Sequence, residues 1–174
     1  MKDRLPGERL RISRIMFELK PLSPEAVPAA LEKANRYRLL NEPGAAESIY
    51  LDILAIDPEN QEALKNIVLA MSDRLGKDYA IGDARITEFV TRIRNDYERT
   101  YYTGIMYERR AKAELAKGGG MAYELFRQAM DCFETAEAMR PVGKDDAILR
   151  WNGCVRIITQ NNLEPREMGH DFLE

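Results

Sequence analysis

The residue types that could do chemistry are few in this sequence, and their spacing does not favour it. The only histidine, His170, lies in a polar tail four residues before the last one. Without a second histidine, no Ser/His or Cys/His arrangement and no histidine-based metal centre can be built. Cys132 and Cys154 have no CxxC spacing. Two buried thiols in a reducing compartment are expected of them, with a bridge across neighbouring helices as the alternative. Asp145 and Asp146 resemble a metal pair, but they stand directly before an apolar run. There a helix cap and favourable charge at a helix N-terminus are the expected roles. "AKGGGMAY" and "RLGKDYAIGD" hold glycines, yet neither follows a strand or carries the Lys-Ser/Thr that grips phosphate and magnesium, so both read as turns. Carboxylates are plentiful, but no pair stands out from helix-surface charge. The expectation is a chain that is not an enzyme, with no catalytic, metal or cofactor-binding residues.

Composition narrows the partners. The 174 residues fit one domain, and 45% apolar with 32% charged residues is the mixture of a soluble globular protein. Net charge is −3, but residues 1–24 carry six Lys/Arg against three Asp/Glu, which leaves an acidic body. An acidic body argues against nucleic acid, whose binding rests on neutralising phosphates with cations. In "YERTYYTGIMYERRAKAEL" four tyrosines and several arginines could stack on bases, but Glu98, Glu108 and Glu114 interrupt the patch. No apolar run could insert in a membrane, and "MKDRLPGERLRISRIMFELK" lacks the features of a signal peptide. A cytoplasmic protein is expected.

The elements that must position any site are helices. Between Pro21 and Pro165 the apolar residues follow helical spacing, without the alternation of strands. The pattern predicts helices over about 27–40, 44–57, 61–75, 84–94, 96–117, 121–139 and 145–160. "NEPG" stops the first, Pro58 ends the second, and "GGG" at 118–120 stops the fifth. Asn60 is placed to cap the third, and Asp145 or Asp146 the last.

The corners recur at a spacing that resembles the tetratricopeptide repeat, a helical hairpin of 34 residues. Counting back from Pro141 puts Ala129, Phe133 and Ala136 at the family's Ala, Phe and Ala positions. Counting back from Pro58 gives Ala46, Tyr50 and Ile53, with Ala34 and Tyr37 on the preceding helix. Gly104 and Tyr107 fill the matching places in the third hairpin. In such repeats small residues let paired helices touch, aromatics fill the space beside them, and proline turns the chain into the next unit. There are departures. Lys33 replaces the first leucine, the helix over 84–94 fits poorly, and the registers from Gly104 and Pro141 differ by 13 residues. That excess is expected to lengthen both helices of the third hairpin. "RYRLLNE" and "DDAILRWN" resemble stretches of bacterial repeat proteins of this kind.

The resemblance implies an all-α, right-handed solenoid of about three hairpins (27–60, 61–96, 97–143) with a capping helix over 145–160. It would sit within residues 25–160, between a basic arm (1–24) and a polar tail (161–174). The family also implies a concave groove, lined by the first helix of each hairpin, in which a peptide or helix of a partner protein lies. Lining it here would be Asn35, Arg38, Lys65, Asn66, Leu69, Tyr102 and Met106. Members that hold chaperone tails use a carboxylate clamp. At its positions this chain has Leu31, Asn35, Asn66, Glu98 and Tyr102, so both asparagines are kept and every cation is missing. Without those cations a C-terminal carboxylate loses its charge-assisted contacts, and that partner is not expected. The reading is a non-catalytic adaptor or scaffold. Two others compete: a small chaperone for a secreted bacterial substrate, and a homodimer sealed by Trp151 or the arm. Trp151 with Ile148, Val155 and Ile158 reads first as core packing. The arm segment "RLRISRIMFELK" reads as an amphipathic helix against the first hairpin, as a self-associating or disordered arm, or as a membrane-surface helix.

Overall fold

Helix ends in this chain are set by a few residues that satisfy the loose backbone groups of each terminus. The computed structural model describes residues 18–77 and 82–166, and among these every regular element is helical. A 3-10 turn at Pro24–Ala26 leads into α1 (Val27–Leu39), followed by α2 (Pro43–Ile56), α3 (Gln61–Asp73) and α4 (Asp83–Thr91). The chain then continues through α5 (Asp96–Ala116), α6 (Ala122–Ala138) and α7 (Asp146–Gln160). These limits fall within about two or three residues of the predicted ones. The arm up to residue 17, residues 78–81 of the loop, and the tail from 167 with His170 lie outside the described residues. Glu18, Leu19 and Lys20, which would end an arm helix on one of the readings above, are not helical.

Three helices stop in the same way. After α1, Asn41 takes φ 61° and the Glu42 N–H donates back to the Tyr37 carbonyl at 2.9 Å. After α5, Gly118 takes φ 70° and Gly119 N–H donates to Glu114. After α7, Asn162 takes φ 49° and Leu163 N–H donates to Ile158. Asparagine and glycine tolerate the left-handed backbone that returns the chain to the orphan carbonyls of the last turn. At the other ends, Asn60 Oδ1 accepts from Ala63 N–H and Asn95 Oδ1 from Glu98 N–H, each at 2.9 Å. The expected cap of α7 is corrected. Asp145 occupies the position, but its carboxylate accepts from Arg140 Nε at 3.0 Å and makes no capping bond. A guanidinium within reach is a stronger donor than a backbone N–H.

Each helix packs on the next, and α3 also touches α1 and α5. The most extensive pairing is α5 with α6. One core cluster is built mainly on α1–α4 around Tyr50, Ile53, Leu64, Ile67, Met71 and Ile86. A second is built mainly on α5–α7 around Phe126, Ala129, Phe133 and Cys154. Tyr102 and Tyr107 pack against both. Trp151 is half-buried against the second cluster and donates from its indole N–H to Glu134. Both cysteines are free, with Cys154 buried.

The α5–α6 pairing depends on one missing side chain. A Cβ at Gly104 would lie 2.6 Å from the Phe133 ring, too close for any real carbon contact. Gly104→Ala should therefore lower stability by about 1–3 kcal/mol through overpacking. In urea unfolding, Phe133→Leu should be less damaging in the Gly104→Ala background than in wild type. Additive losses would show that the two groups do not meet.

Candidate binding face

Polar side chains of the odd-numbered helices cross-link one helix to the next. Between α1 and α3, Asn35 donates to Glu62 at 3.3 Å and Arg38 pairs with Asp73 at 3.0 Å. Between α3 and α5, Lys65 pairs with Glu98 at 2.9 Å, and Arg109 pairs with Asp73 while donating to the Leu69 carbonyl. Between α5 and α7, Arg150 pairs with Glu108 at 2.9 Å and donates to the Tyr101 hydroxyl at 3.2 Å. Lys112 completes this group on Glu108. Tyr101 stacks on Tyr97 with centroids 5.9 Å apart and meets Tyr102 edge-on. Beside it, Tyr101, Glu108, Leu149 and Arg150 line a hollow of about 350 Å³ between α5 and α7. Leu149 is 67% exposed there.

The residues expected to line a groove divide into three kinds. Arg38, Lys65, Asn66 and Tyr102 are half-buried, and the two cations among them sit in the cross-links. Leu69 and Met106 are corrected: at 9% and 5% exposed they are core, not lining. Leu69, from α3, sits in the α5–α7 cluster, and Met106, from α5, sits in the α1–α4 cluster. They interlock behind the polar face because α3 and α5 pack directly. Asn35 is tied into the fold, since its Oδ1 accepts from the buried Tyr50 hydroxyl at 2.5 Å.

Sequence reasoning missed Asp73, Glu108, Arg109 and Arg150. The signal was present for two of them. Asp73 lies seven residues after Asn66, and Arg109 seven after Tyr102, so each continues the same helix face by two turns. Glu108 and Arg150 gave no such sign, because their pairing joins residues 42 apart on helices whose stacking offset is irregular.

Burial governs the electrostatics. It pulls the Arg109 guanidinium down to about 10, and the charges of Arg38 and Arg150 add to this, yet Arg109 remains cationic at neutral pH. Burial also lowers Arg150, but Glu108 and Tyr101 outweigh it and the net shift is upward. Desolvation, helped by Glu98 and Tyr101, pushes Tyr102 up to about 12. Burial likewise raises both thiols, Cys154 to about 12, so neither is a thiolate near neutrality.

Comparison of the chain with protein-family models, with curated proteins and with solved structures finds no match in any of the three. No described helix is long and apolar enough to cross a membrane.

Two outcomes follow from this geometry. Asn35→Ala strands the Tyr50 hydroxyl and should reduce stability by about 1–3 kcal/mol. Adding Tyr50→Phe should recover part of that loss in thermal melts, and no recovery would contradict the hydrogen bond. Tyr102 holds its proton more tightly folded than unfolded, so its contribution is complete below pH of about 10 and is lost as pH rises toward 12. Melting temperatures measured across that window should fall for wild type relative to Tyr102→Phe, and parallel curves would refute the shift.

Proposed function

We propose that the protein is a helical-repeat adaptor of the tetratricopeptide type, whose odd-numbered helices offer one face to a segment of a partner protein. The observation that carries this reading is the offset of the links between successive hairpins. Arg38–Asp73, Lys65–Glu98, Arg92–Pro58 and Arg94–Glu59 join residues separated by 35, 33, 34 and 35 positions, while Asn35–Glu62 and Arg109–Leu69 depart from this at 27 and 40. A chain that stacks equivalent units makes contacts at one constant separation, and 34 is the length of this repeat. The Pro58 corner is tied to the next corner by the same rule: Gln61 accepts from Arg94 N–H, and Arg92 donates to the Pro58 carbonyl. From α5 onward the separations grow to 42 and 49, on either side of the roughly 47 expected of a 34-residue repeat carrying the 13-residue excess.

A face of this kind binds by covering half-buried aromatic and aliphatic surface, while its polar groups fix direction. Tyr102 and the exposed Leu149 supply the apolar part, and Lys65, Asn66 and Arg150 supply donors. Asn66 is the cleanest probe, being half-buried on α3 without the structural duty of Asn35. Peptides selected from a displayed random library against the wild type should lose about 1 kcal/mol, roughly fivefold in affinity, on Asn66→Ala or Lys65→Ala. Gln128→Ala, on the exposed side of α6, should leave binding unchanged. Equal affinities for all three variants would reject the face.

A further inference from the structure

The lengthened third hairpin creates a second feature, away from the cross-linked middle of the face. α3 and α5 run side by side in the same direction, with Lys65 beside Glu98 and Asp73 beside Arg109. α3 stops at Asp73, whereas α5 continues to Ala116, about two turns further. The turn after α3 folds back against this overhang and is seated by Gly76. That residue takes φ 81°, and a Cβ on it would lie 2.7 Å from the Ala113 Cβ. Between turn and overhang is a hollow of about 630 Å³, within the usual range for small-molecule sites.

Its lining is cationic. Lys77 enters from the turn, Arg109 and Lys112 from α5, and Lys117 from the residue just after it, against the single carboxylate of Asp73. Asp73 is already engaged by Arg38 and Arg109. Lys112 leans on Glu108, whereas Lys77 and Lys117 have no ion-pair partner among the described residues. Lysines near helix C-termini are common because they offset the carbonyl dipole. That does not account for Arg109 and Lys112, which lie inside α5, and the terminal carbonyls here are taken by turn N–H groups of Arg74, Leu75, Lys117 and Gly118. Ser72 also belongs to the wall; it is 2% exposed, and its hydroxyl has no hydrogen-bond partner among the described residues. Native structures seldom leave such a group unsatisfied. Leu75, Ala113 and Ala116 give the hollow an apolar strip beside the charges.

We propose that this hollow binds a phosphate monoester of a small organic molecule. The phosphate lies among Lys77, Lys112 and Lys117, and the organic body rests on Leu75, Ala113 and Ala116. The ester oxygens supply the acceptors that Lys77 and Lys117 lack, and the strip favours an ester over free phosphate. The assignment does not rest on the adaptor reading.

Phenyl phosphate is a suitable probe, measured by titration calorimetry at low salt against the full chain. Wild type should bind it saturably and more tightly than inorganic phosphate. Lys77→Glu with Lys117→Glu should weaken binding about tenfold or more, with an unchanged helical signal. Lys33→Glu with Arg156→Glu, an equal charge change on exposed positions elsewhere, should have little effect. The site would be overturned by absence of saturable binding to wild type, by equal losses in both double variants, or by no preference over inorganic phosphate.

Discussion

One carboxylate is shared by three helices whose packing fixes where it can sit. Asp73, at the end of α3, receives Arg38 from α1 and Arg109 from α5. Two guanidiniums on one carboxylate leave a net positive charge in a partly buried place; Arg109 is pulled down first by burial and then by the charges of Arg38 and Arg150. The arrangement persists because apolar contacts behind it leave the helices little freedom. Leu69 and Met106 each reach into the cluster centred on the other's side, so separating α3 from α5 would expose both cores. The ion pairs alone would contribute little at such partly exposed positions. They orient rods that the core has already brought together.

From that constraint the rest follows in steps. α1, α3 and α5 held side by side carry a ladder of cross-links on one face, and Arg92 and Arg94 clasp the Pro58 corner at the edge. The close approach at Gly104 fixes α6 against α5 and carries α7 into place, where Arg150 extends the ladder by one more helix. α5 runs past the end of α3, and that overhang gives the hollow its wall. Regularity and irregularity thus produce two surfaces with different chemistry: a mixed aromatic and polar face, and a cationic recess.

Much of this was legible in the residues because helix limits are local events. "NEPG", Pro58, Asn60 and "GGG" each state their role within a few positions, and the structure places the helix ends beside them. Gly104 was legible as a small residue that lets helices touch and Phe133 as an aromatic filling space beside such a contact, but not that the two would meet each other directly. Burial was harder. Leu69 and Met106 have the spacing of the face but lie where neighbouring helices interlock, and that depth depends on how closely α3 and α5 approach. Asp145 read as a cap until Arg140, five residues earlier, proved close enough to take it. Charge partners on separate helices were the least legible, because their identity depends on stacking offset, and the third hairpin shifts it.

The central claim is that the side carrying Asn66, rather than the outer side of α6, receives a partner. The most direct measurement is photo-crosslinking in cells, with a photoreactive amino acid placed at residue 66 or at residue 128. The account predicts a discrete adduct of one added protein from position 66 and none from position 128. An adduct from position 128 alone, or none from either, would contradict it.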